Sequence, residues 1–199
     1  MLAELMPREP EVLGLVALME LQASRAATRT DADGNLVLLA DQDRSRWDQA
    51  RIARGLVDLD LAGRMERAGS YQLQAAIAAC HARAHSWEAT DWPQILDLYR
   101  ALAAVAPSPV VELNRAVAIG LAHGPAAGLA ALDGIDASAL SEYHLLPAAR
   151  SDFLRRLGRS AEAAAEYRRA LALADNAREQ TFLAARLAAC EAGGERGQQ

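Results

Sequence analysis

The stretch Leu157-Gly158-Arg159-Ser160-Ala161-Glu162-Ala163-Ala164-Ala165-Glu166-Tyr167-Arg168-Arg169-Ala170-Leu171 decides how this chain folds. Gly158 is read as the end of one helix, with an Ala-rich second helix following at once. Small residues at Ala163 and Ala170 let the second helix lie close on the first, and Tyr167 fills the gap toward the next pair. The same punctuation occurs earlier: Gly124 stands 34 residues before Gly158 and again precedes an Ala-rich helix. Tyr99 and Tyr167 are 68 residues apart, twice that interval.

A period of 34 belongs to helix–turn–helix repeats of the tetratricopeptide kind, and Pro107 sits where that pattern often ends a helix. The spacing predicts units at 76–109, 110–143 and 144–177 and a capping helix at 177–191. Three units and a cap suffice to bury a continuous core. The expected fold is all-α: antiparallel helix pairs stacked as a right-handed array, with an N-terminal helical segment at 1–75, repeats and cap at 76–192, and a disordered tail at 193–199. Pro147 conflicts locally with a helix from Ser141 to Leu157, so that helix either kinks or starts afresh there.

Outward from the repeats, Pro10 to about Thr28 reads as a first helix with Val12, Leu13, Val16, Met19 and Ala23 at helical spacing. Asp31-Ala32-Asp33-Gly34-Asn35 is a turn; its Gly comes too early for a calcium loop. Asp43 or Ser45 can cap a second helix with Trp47, Ile52, Leu56, Leu59 and Met65 inside. Ser70 is expected to cap a third helix reaching about Trp87. Thr90-Asp91-Trp92-Pro93 marks another capped start, with Trp92 packing rather than binding.

Composition narrows the function. Of 199 residues, 52% are AVILMFWYC but only 5% are aromatic, a mixture of Ala, Leu and Val that suits close helices. The net charge is -5, and all 21 basic residues are Arg, interspersed with acids along the helices. That is a solvated surface without a phosphate-binding face, so no direct nucleic-acid contact is expected. No apolar run is long enough to span a bilayer. Cys80 and Cys190 read as buried free thiols, which fits a cytoplasmic protein.

Few motifs suggest chemistry. His81 and His85 lie four apart on one helix, but Ala82 stands where a metalloprotease helix has Glu, and no third ligand follows; no metal or other cofactor is expected. The run Asp41-Gln42-Asp43-Arg44-Ser45-Arg46-Trp47-Asp48 reads either as a capped helix start with local ion pairs, or as a network docking this loop onto a neighbouring helix or partner. If the first helix of each pair lines a concave surface, Gln74, His81, Asn114 and Arg115 lie near a groove for a partner or ligand. No nucleotide loop, nucleophile elbow or carboxylate dyad is present, so no catalytic residue is assigned.

Several segments carry a family resemblance: Pro10-Glu11-Val12-Leu13-Gly14-Leu15, Leu39-Ala40-Asp41-Gln42-Asp43-Arg44-Ser45-Arg46-Trp47-Asp48, Tyr71 to Ala79, Ser108 to Ala118, and Tyr143-His144-Leu145-Leu146 leading into Arg155-Arg156-Leu157-Gly158. Together they resemble the long C-terminal extension of a group of extracytoplasmic-function sigma factors, which ends in a tetratricopeptide-like region. The resemblance covers residues 8–190, and Pro147 departs from the His expected there. It implies a non-catalytic regulatory role in transcription initiation, contacting the sigma factor's N-terminal domains, RNA polymerase or another protein. Those N-terminal domains are absent from this sequence, which is read as an excised domain or a truncated reading frame. An alternative reading makes the chain a small-molecule sensor whose pocket gathers Gln74, His81, Asn114 and Arg115.

Overall fold

Where each helix begins and ends depends on which group satisfies its terminal amides and carbonyls. The computed structural model describes residues 5–6, 9–65 and 68–196, the side chains of 193–196 excepted. Among these residues lie nine α-helices: α1 (Pro10–Ala23), α2 (Gln49–Gly63), α3 (Ser70–Arg83), α4 (Trp92–Val105), α5 (Pro109–His123), α6 (Pro125–Asp133), α7 (Leu145–Arg156), α8 (Ser160–Leu173) and α9 (Ala177–Arg196). Among them no strand forms, only an isolated bridge between Thr30 and Leu36. The fold is an all-α array of helix pairs.

Two compact units divide the chain, Met1–Pro107 and Ser108–Gln199. The sequence placed the division at 75/76, inside the first unit. The reason is α3, which packs on α1 so closely that a Cβ on Gly14 would lie 2.7 Å from the Gln72 backbone nitrogen. The repeat unit expected at 76–109 therefore starts partway along a helix that begins at Ser70.

In the first unit α1 buries Pro10, Leu13, Gly14, Ala17 and Leu21. Met19, expected on the inner stripe, is 61% exposed. Gly14 and Ala17 explain the choice: a helix that is apolar nearly all round turns its smallest residues toward its neighbours, where backbones approach most closely. Gly55 of α2 meets the same face, its missing Cβ lying 2.9 Å from Leu21 Cγ. The α-helix ends at Ala23, and a 3-10 turn carries the chain through Ala26–Thr28. Asp43 caps a second 3-10 turn, Arg44–Arg46, by accepting from the Ser45 amide at 3.0 Å. Helix α2 is capped five residues later by Asp48, which accepts from the Arg51 amide at 3.0 Å, so neither Asp43 nor Ser45 begins it.

Ser70 does not cap α3 either; it is the first helical residue, behind Gly69. The cap comes from a distance. Glu11 of α1 accepts from the Tyr71 amide at 3.0 Å and the Gln72 amide at 3.2 Å. Helix α3 ends at Arg83, short of Trp87, and α4 opens as expected with Asp91 accepting from the Gln94 amide at 2.9 Å.

The second unit follows the repeat reading closely. Ser108 caps α5, and Gly124 alone joins α5 to α6 with φ of 98°. Gly158 has φ of 75°, and around it the Gly158 amide donates to Arg155 O at 3.0 Å while the Arg159 amide donates to Leu154 O at 2.9 Å. This paired closure is the Schellman arrangement, which favours glycine. Helices α5–α6 and α7–α8 pair off, and α9 packs on α8. Ala163, Tyr167 and Ala170 are buried with Leu113, Leu132, Phe153 and Leu183 in one core. Gly120 and Gly128 let α5 and α6 meet, with Phe153 of α7 seated against both. The helix expected from Ser141 does start afresh, at Leu145, two residues ahead of Pro147; the proline is thus buried in the first turn of α7, where a helix tolerates it, and no kink is needed. The closing helix runs on through Arg196, five residues past the expected cap, and residues 197–199 of the expected tail lie outside the described residues.

Candidate functional site

The first unit gathers a buried polar and aromatic cluster, and the second holds a groove lined by charged and apolar side chains. In the first unit the charged run from Asp41 to Asp48 turns Arg44 and Trp47 inward. Arg44 is 8% exposed and donates to His81 O and Ala84 O, both at 2.9 Å, and to Thr90 Oγ1 at 3.0 Å. It satisfies carbonyls that the end of α3 leaves open, at the negative pole of that helix. Of the two readings of the run, docking onto a neighbouring helix describes Arg44. Asp43 and Asp48 serve as caps.

His81 sits beside this guanidinium. Its ring stacks on Trp87 with centroids 6.4 Å apart and meets Trp92 edge-on at 5.4 Å. Burial, then the nearby Arg44 and Arg25 charges, push its pKa down to about 4. The ring is neutral at pH 7, and its buried Nδ1 has no hydrogen-bond partner among the described residues. Arg25 is itself pushed down to about 10 by burial, with Arg29 and Arg44 adding repulsion. His85 is exposed, and no group of three metal-ligating side chains assembles among the described residues.

The four residues marked for a groove fall in different units. Gln74 and His81 are on α3 of the first; Asn114 and Arg115 are on α5 of the second. Gln74 is half-buried and donates to Ser70 O of its own helix at 3.3 Å. Asn114 is exposed. Arg115 is held by Glu112 one turn back, through donors at 2.9 and 2.5 Å.

The second unit contains a groove of about 310 Å³ between α6, α7 and α8. Leu129, Leu154 and Ala165 give it apolar lining. Arg150 at its edge donates to Asp133 at 2.6 Å, and Arg159 grips Glu162 through two bonds of 2.7 and 2.6 Å. Glu166 also lines it, and among the described residues its buried Oε2 accepts no hydrogen bond. Nothing in the sequence marked this place. Arg and Glu alternating along an Ala-rich helix read as solvated surface, and only the fold brings Asp133 and Glu166 to one groove. The chemistry available is binding: paired ions around an apolar floor, with one carboxylate that has no counter-charge among the described residues.

Residues 1–63 match a family described as a family of unknown function (DUF6596). An uncharacterized protein of Rhizobium meliloti (strain 1021) is 49% identical over 183 residues, covering 92% of this chain and 43% of that protein. The chain thus spans less than half the length of that curated relative. No solved structure matches.

Proposed function

We propose that the chain is a non-catalytic regulatory interaction region of a sigma factor, acting in the cytoplasm on transcription initiation through protein contacts. One observation carries this reading: the second unit stacks helix pairs α5–α6 and α7–α8 under α9 and leaves an open groove on them, an arrangement suited to holding a partner. The resemblance to sigma-factor extensions supplies the sigma part. Much of the relative's length lies outside the match, which leaves room for promoter- and polymerase-binding domains. Partner binding would shift the balance between active and inactive arrangements of the longer protein. No helix among the described residues is long and apolar enough to cross a membrane.

The test uses the longer relative. Promoter-dependent transcription by RNA polymerase with that protein intact is compared with transcription after removal of the segment matching this chain. A several-fold change in output is expected. Identical output under every condition removes the regulatory claim. The small-molecule alternative draws less support, because Gln74 and Arg115 are engaged within their own helices.

A further inference from the structure

We infer that the groove between α6, α7 and α8 is a docking site for a peptide segment that presents an arginine side chain to Glu166. This deepens the interaction reading by naming the partner's chemistry, and it rests on that reading but not on its sigma-factor part.

The argument starts from charge. Three carboxylates and two guanidiniums line the groove. Both guanidiniums are already matched, Arg150 by Asp133 and Arg159 by Glu162. Glu166 has no ion-pair partner among the described residues, and one of its oxygens lies buried without a donor. A carboxylate in that condition lacks the donors a buried polar atom ordinarily has. The other oxygen of the same carboxylate is not buried and meets no donor among the described residues, so it is the atom left to receive a ligand in the groove.

Shape selects the cation. An arginine stem is apolar along its methylenes and suits Leu129, Leu154 and Ala165, while the planar head bonds a carboxylate through two donors. A volume of about 310 Å³ also leaves room for residues flanking the arginine. An anionic ligand would have to break the Arg150–Asp133 or Arg159–Glu162 pair and would face Glu166. The groove's free valence is negative.

The experiment is binding to the full chain, followed by fluorescence anisotropy. The probe is a labelled, end-blocked pentapeptide pool with a fixed central arginine and mixed Leu and Ala at the four flanking positions. Its counterpart carries citrulline, which keeps the shape and removes the charge. The arginine pool is expected to bind about tenfold tighter or better, as befits a charge-assisted pair. Glu166→Gln should erase that preference and keep the fold by circular dichroism, whereas Glu142→Gln, an exposed charge outside the groove, should preserve it. Equal binding of the two pools, no binding of either at about 1 mM, a scale that marks very weak affinity, or an unchanged preference in E166Q overturns the proposal. Should E166Q fail to fold, Ala165→Arg, which fills the groove from an exposed position, is expected to abolish the preference, and an unchanged preference overturns the proposal. None of these outcomes bears on the transcription test, so the two readings fail separately.

Discussion

His81 shows how one buried ring couples the first unit to pH. Its folded pKa of about 4 lies below the ordinary 6.5. Between those values the unfolded chain binds a proton that the folded chain refuses, so stability is fully retained above 6.5 and falls as pH drops toward 4. The loss attributable to this residue is expected to reach about 3 kcal/mol at most, less in proportion to the ring's remaining exposure. Urea unfolding between pH 4 and 7 checks it: His81→Phe should flatten the dependence, and an unchanged slope would place the effect elsewhere. Arg44 is the ring's structural neighbour. Arg44→Ala leaves three acceptors without their donor and should lower stability by about 2–4 kcal/mol in the same assay. At this scale the sequence was partly legible. Trp92 packs as its motif implied, but nothing in the charged run marked Arg44 as the one charged residue that is buried. Its acceptors, His81 O and Ala84 O, come from a helix end well downstream, and local pattern carries no record of them.

Helix boundaries were legible where their causes are local. Gly124 and Gly158 both take positive φ at the end of a helix, and Asp91 caps α4 from the adjoining residue. The boundary of α3 was misread because its cap is tertiary: Glu11 reaches across from α1, and Gly69 leaves the opening through which it does so. Glu11→Ala should cost about 1 kcal/mol, the usual value of a lost cap, and should release the Tyr71 and Gln72 amides to faster hydrogen exchange. Unchanged exchange at those two amides would deny the cap. A second test concerns α5 and α6. Adding a methyl at Gly120 drives into Phe153, and Gly120→Ala should cost about 1–3 kcal/mol by overpacking, read from the melting temperature. Neither glycine of that contact stood out in the sequence, since a close helix crossing announces itself only once both helices are placed.

For the molecule as a whole, the repeat spacing foretold the second unit better than the first. There each pair is consecutive in the chain and its core residues repeat with it. Residues 108–199 hold their own core from Leu113 to Cys190, and that fragment should fold alone with a cooperative thermal transition. A non-cooperative melt would show that the division is not a folding boundary. The charged groove escaped the sequence for the opposite reason, because its residues come from three helices and each looks ordinary on its own. The carboxylate of Glu11 has one last consequence. The family match stops at residue 63, yet the amides that this carboxylate holds belong to residues 71 and 72. A gene cut at the edge of the match would yield a product with a vacant seam along Gly14, where Gln72 ordinarily lies.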